Sequence, residues 1–259
     1  MEDKRKERAA GIKVESVTPY GGGDKGEQVG EMFDSIAPAY DLMNSLMTFG
    51  LCRYWRDRAL RLCAGDNAGV RSVLDVATGT GDVAFALLRR FPEAQVCGVD
   101  LSQGMLDVAA RKARDLPAAD AARLSFSKGD SLALGFPDNS FNLVTVAYGV
   151  RNFEHLDRGL AEMLRVLRPG GSLCIVELSE PENKLLKGCY RLYAHKLIPG
   201  IGRLVSGDAS AYSYLPKSIA ACPQRRDMAR LMQQAGFQNC RWKSLTCGAV
   251  TIYLGKKRI

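Results

Sequence analysis

The chain has 259 residues, 46% of them hydrophobic and 25% charged, with 26 glycines and 10 prolines. This composition excludes a disordered, collagen-like or coiled-coil chain, and no apolar run approaches the roughly 20 residues that span a bilayer. The net charge of +8 is uneven, since residues 182–230 hold nine basic side chains against three acids.

Residues 1–28 are polar and contain Gly21-Gly22-Gly23, so they offer little apolar surface to offset ordering entropy and are expected to form a loose tail. The first residues lack the apolar stretch of a signal peptide, which predicts a cytoplasmic protein. From Val29 to about Leu62 apolar residues recur at helical spacing (Val29, Met32, Phe33, Ile36, Leu51, Trp55, Leu60), interrupted by Pro38. A helical N-terminal extension over 29–62 is expected.

Beyond it, β-rich runs at 72–76, 95–99, 123–127, 141–147 and 172–178 alternate with helical patterns at 82–90, 104–114 and 156–167. Such alternation predicts an α/β fold, a doubly wound and mostly parallel sheet with helices on both faces. Residues 182–222 interrupt it with a Tyr- and Lys-rich helical insertion. A helix over 224–235 and strands over 237–242 and 249–254 follow. The linker between these last strands is too short for a crossover, so they should pair antiparallel and complete a seven-stranded sheet within one unit, 29–259.

Eight cysteines include no C-x-x-C pair, and only His155 and His195 are available beside them, so no metal site is expected and the thiols read as core residues. Neither histidine reads as a base. The basic excess over 182–230 suits a solvated helical surface or a transient contact with an anionic membrane; stacking aromatics are too few for nucleic acid.

The chemistry concentrates at Asp75-Val76-Ala77-Thr78-Gly79-Thr80-Gly81, where a strand turns into a helix and glycines let a ligand approach the backbone. Asp100 ends the next strand, placed to accept both hydroxyls of an adenosine ribose, and Asp130-Ser131 follows the third strand, suited to an adenine amino group. Two cofactors compete, because Gly79 to Ala84 also satisfies the dinucleotide pattern of a NAD-type oxidoreductase. Asp75 would face a diphosphate unfavourably and suits the cationic amino acid end of S-adenosylmethionine (S-adenosyl-L-methionine). The methyl donor is the expected cofactor.

These motifs, with the Leu167-Arg168-Pro169-Gly170-Gly171 turn expected before the fifth strand, resemble the class I S-adenosylmethionine-dependent methyltransferases. More narrowly, Tyr40-Asp41-Leu42-Met43-Asn44 with Met47, Thr48 and Trp55, the run Arg165 to Gly171 with Glu177-Leu178-Ser179, and Gly149-Val150-Arg151-Asn152-Phe153 resemble the ubiquinone/menaquinone biosynthesis C-methyltransferase family. Asp208-Ala209 and Tyr212 to Leu215 match as well. Thr48, Cys52, Arg168 and Ala147 depart from that pattern, which usually has Ser, His and Lys at the first three positions and in some members Ser at the fourth.

The resemblance implies methylation of a ring carbon on a polyprenyl quinol, with the naphthoquinol of menaquinone synthesis favoured over the benzoquinol of ubiquinone synthesis. A ring carbon attacks well only once a neighbouring hydroxyl is ionised, so the site must hold geometry and stabilise a phenolate. Arg151 keeps its proton and is expected to act electrostatically, with Asn152 orienting the hydroxyl or a water. Tyr40 and Asp41, in the extension that covers the cofactor pocket in this family, are expected to close the site. The alternative for Arg151 is a surface salt bridge with Glu154 or Asp157. The residues leave the oligomeric state open, a homodimer included.

Overall fold

Strands form where β-branched and apolar residues alternate between two faces, and here both faces are covered. In the computed structural model, which describes residues 17–65, 69–192 and 209–259, β1 (Ser72–Val76), β2 (Gln95–Asp100), β3 (Leu124–Lys128), β4 (Phe141–Ala147), β5 (Leu167–Leu178), β6 (Gln238–Leu245) and β7 (Val250–Lys256) make one sheet of order β3-β2-β1-β4-β5-β7-β6. The first five strands pair in parallel, and β7 runs antiparallel to both β5 and β6.

The helices are α1 (Lys25–Ile36), α2 (Tyr40–Met47), α3 (Leu51–Gly65), α4 (Asp82–Arg90), α5 (Gln103–Ala113), α6 (Ala118–Ala121), α7 (Leu156–Val166), α8 (Lys184–Leu192), α9 (Ala209–Ala221) and α10 (Arg226–Gln234). Leu74, Val144, Leu173 and Ile175 pack with residues of α7 and α10 on one face, while Val73, Leu143, Cys174 and Val176 pack with α3 and α4 on the other. The period of two along β1, β4 and β5 thus feeds two cores. A third core joins Val29, Met32 and Ile36 of α1 to Met43 of α2, Met105 of α5, and Ala211 and Tyr214 of α9.

Two boundaries differ from the sequence reading by four residues or more. The helix expected from Val29 begins at Lys25, inside the stretch read as a loose tail, because Asp24 caps it by accepting from the Glu27 N–H at 2.8 Å and Lys25 itself is buried. The fifth strand begins at Leu167 rather than after the Arg168-Pro169-Gly170-Gly171 turn. Leu167 pairs with Phe141, the next registered pair is Ser172 with Leu143, and the residues between bulge with Gly170 at φ +77°. The insertion 182–222 is helical where described, in α8 and α9; residues 193–208 and the first 16 lie outside the described residues.

Candidate active site

The chain doubles back at the ends of β1 and β4, the neighbouring central strands whose connections leave in opposite directions, and a crevice opens there. Ala77 after β1 and Tyr148 after β4 both adopt left-handed backbone, with φ of +52° and +59°. The two turns touch: a Cβ on Gly149 would lie 2.7 Å from the Cβ of Ala77, so only glycine fits.

Two cavities meet at this point. One, of about 690 Å³, is a polar cleft over the ends of β1, β2 and β3, lined by Gly79, Asp100, Ser102, Asp130, Ser131 and Asn152 among others. Its charged lining is acidic, with Asp24, Glu27, Glu31, Asp34 and Glu154 facing Lys128 alone among the described bases. The other, of about 540 Å³, is an apolar chamber beneath α1, α2 and α3, lined by Met32, Ile36, Met43, Trp55, Leu178 and Ile219, with Arg151 and Tyr214 on its wall. Phe33, Tyr40, Ala77, Gly79, Ala147 and Tyr148 line both.

In the cleft, Asp100 accepts from the Gly79 N–H at 2.7 Å and the Ser102 N–H at 2.9 Å. Burial pushes its carboxyl upward against the pull of these backbone donors. Asp130 accepts from the Leu132 N–H at 2.8 Å. Gly79 has φ +57°, and a Cβ there would project into open space. Asp75 departs from its expected place facing a ligand. It is buried beneath the turn and lines neither cavity, its oxygens accepting from Thr145 at 2.6 Å and Thr78 at 2.7 Å. Burial pushes its carboxyl up to about 7.

The extension is pinned across the glycine turn. Thr80 Oγ1 donates to Asp41 Oδ1 at 2.6 Å, and Lys112, a residue the sequence did not single out, meets Asp41 at 2.6 Å and Asp82 at 2.8 Å. Tyr40 packs edge-on against Phe33, ring centroids 5.9 Å apart. Gly81 faces neither cavity and gives α4 its left-handed start, φ +82°.

Arg151 is buried, and its partner is neither Glu154 nor Asp157. Its Nη1 donates to Glu177 Oε1 at 2.9 Å and to the carbonyl of Tyr148, and its own N–H donates to Glu177 Oε2 at 3.2 Å. Burial, the largest single influence, works against the guanidinium charge, and Glu177, Tyr40 and Tyr214 together outweigh it, so the pKa lies above its ordinary value. Asn152 Nδ2 donates to the Tyr148 carbonyl at 3.4 Å, and its Oδ1 accepts from the Tyr214 hydroxyl at 3.2 Å. Sequence reasoning saw Glu177 only as part of a motif and passed over Tyr148, whose buried hydroxyl has no partner among the described residues. Cys52 and Ala147 line the chamber, Thr48 closes α2 by donating to the Asn44 carbonyl at 2.6 Å, and Arg168 lies outside both cavities. His155 lines neither cavity, and His195 falls outside the described residues.

The model of the ubiE/COQ5 methyltransferase family matches residues 23–257. A demethylmenaquinone methyltransferase of Bacteroides fragilis is 41% identical over 94% of this chain and 98% of its own length. One of Porphyromonas gingivalis is 45% identical over 94% and 98%. A ubiquinone/menaquinone biosynthesis C-methyltransferase UbiE of Geobacter sulfurreducens is 40% identical over 95% and 94%. Among solved structures, the [4+2]-cyclase SpnF superposes with TM-score 0.66 at 22% identity, covering 90% of this chain and 97% of its own. A possible histamine N-methyltransferase of Thermotoga maritima gives 0.61 at 19% identity, covering 88% and 99%. These structural likenesses bear on the fold alone.

Proposed function

The chain belongs to the ubiE/COQ5 methyltransferase family, and on that premise we propose that it transfers a methyl group from S-adenosylmethionine to a ring carbon of a polyprenyl quinol, converting demethylmenaquinol to menaquinol. The polar cleft suits this donor. Its acidic lining favours a ligand bearing a sulfonium and an ammonium and opposes a dinucleotide diphosphate, and the open space beside Gly79 admits a ligand against the backbone. Asp100 is assigned to the ribose, Asp130 and Ser131 to the adenine, and Gly79, Thr80 and Gly81 to the turn that receives the donor. Asp75 acts from below, by fixing Thr78. When bound there, the donor supplies an electrophilic methyl on sulfur.

The acceptor belongs in the apolar chamber, which meets the cleft at Ala77 and Tyr148. The observation that carries this reading is Arg151, a buried cation on the wall of that chamber. Its field favours the ionised forms of the Tyr40 and Tyr214 hydroxyls, although burial outweighs it for both. A quinol hydroxyl set among these groups feels the same pull. Arg151 thereby stabilises the phenolate that activates the ring carbon, and Asn152, held by Tyr214, orients the hydroxyl or its water. Tyr40 and Asp41, in the cap formed by α1, α2 and α3, exclude water from the joined chambers.

A product assay offering both demethylated quinols tests this. Methylation of the naphthoquinol supports the reading. Methylation of the benzoquinol alone moves the chain to ubiquinone synthesis, the first of the two pathways in the name of the Geobacter relative. Methylation of neither overturns the reading.

A further inference from the structure

Large apolar side chains stand exposed at two places beside the apolar chamber. On α2 and the turn into α3, Leu42 is 57% and Phe49 79% exposed, with Leu46, Leu51 and Tyr54 also open to solvent. On α8, Leu185 is 78% exposed, and Leu186 and Leu192 are exposed as well. Phe49 and Leu51 from the turn and Tyr190 from α8 line the chamber, so both apolar surfaces border one cavity. Contiguous exposure of this kind marks a surface that something apolar covers.

Charge identifies what covers it. On α3, Arg53, Arg58 and Arg61 have no acidic partner among the described residues, while Arg56 meets Asp57 at 3.6 Å and Asp82 at 3.3 Å. The basic stretch 182–230, the face expected from sequence, carries less free charge where it is described. There Lys187 pairs with Glu180 at 2.6 Å, Arg225 with Glu182 at 3.3 Å and Arg230 with Asp227 at 3.9 Å. A second copy of the chain meeting this patch about a two-fold axis would bring like arginines together.

We propose that the α2–α3 turn, with α8 beside the same chamber, is the surface by which this protein seats on an anionic lipid bilayer. The leucines and Phe49 enter at the level of the acyl boundary, and the arginines of α3 meet the phosphates. A polyprenyl acceptor then passes from lipid into the chamber with its tail still in apolar surroundings. That last step rests on the quinol reading; the docking does not.

Sedimentation of the full chain with vesicles of phosphatidylcholine, with and without phosphatidylglycerol, needs neither donor nor quinol, so its failure is distinct from failure of methyl transfer. Binding should require the anionic lipid and fall with salt. Arg58→Glu/Arg61→Glu should weaken it by about fivefold or more for each arginine replaced. Leu42→Ser/Leu46→Ser should weaken it without shifting the thermal melt, since both leucines are exposed and neither lines the chamber. Absence of binding, or binding that neither double variant changes, overturns the proposal. So does a leucine variant that turns a dimer into a monomer while sedimenting as before, because the patch is then an interface between copies.

Discussion

Lys25 and Arg151 are 126 residues apart in sequence, yet the buried ammonium of Lys25 donates to the main-chain carbonyl of Arg151 at 3.4 Å. It also donates to the carbonyl of Phe153 at 3.2 Å. The first residue of the cap therefore holds the turn that carries Arg151 and Asn152. Lys25→Met keeps the apolar stem and leaves two buried carbonyls without this donor, a loss of about 1–3 kcal/mol. Denaturant unfolding should show that loss, and kcat should fall more than donor affinity.

Arg151 and Glu177 form a buried ion pair, 2.9 Å between Nη1 and Oε1. Glu177→Met strands a buried cation and should destabilise the fold by about 3–5 kcal/mol. Adding Arg151→Met should restore much of that stability but no turnover. Arg151→Ala alone should lower kcat by about a hundredfold while calorimetry finds donor binding nearly intact. Loss of donor binding in that variant would make Arg151 a structural residue.

Asp100→Ala should weaken S-adenosylmethionine binding at least tenfold, about 1.4 kcal/mol, through loss of a charge-assisted contact with the ribose. The same change removes the acceptor for the Gly79 N–H, so Asp100→Asn separates the two effects. It keeps an acceptor for the turn and loses the charge.

Asp75 makes stability depend on pH. Its carboxyl is pushed from 3.8 to about 7, so within that window the unfolded chain is ionised while the fold keeps the proton. Stability without donor should therefore fall as pH rises from about 4 to about 7, by on the order of 4 kcal/mol, and then level off. Melts of Asp75→Asn should lack this slope; an identical slope would show that Asp75 titrates normally.

The bounds of β1, α4 and β4 are those the sequence predicts, because the apolar alternation there is strong and the turns carry glycine. The cluster of candidate residues around the crevice was legible for the same reason, since strand ends in such a sheet converge. What local pattern did not carry was partnership across the chain. Lys25 reads as one more charge in a polar, glycine-rich stretch until its two distant carbonyls are in place. Glu177 lies in β5 and Arg151 in the turn after β4, and each alone suggests a surface group. Asp75 looked exposed to a ligand because the glycine turn follows it, whereas Thr145 of the neighbouring strand supplies the partner that allows its burial. The early start of β5 was hidden by an Arg-Pro-Gly-Gly run that reads as a turn, although Gly170 and Gly171 exchange hydrogen bonds with Lys257 at 3.1 and 2.9 Å.

Phe33 and Tyr40 wall the polar cleft and the apolar chamber at once. Side-chain freedom lost when one ligand fixes these rings is not lost again when the second arrives, so the two binding equilibria are linked. Linkage is reciprocal: the factor by which the demethylated donor product tightens an acceptor analogue must equal the factor by which the analogue tightens the product. Titrating each in the absence and presence of the other measures that factor twice. A value above one makes the shared aromatic wall a device for assembling the ternary complex, one that favours occupancy of both chambers over occupancy of either alone.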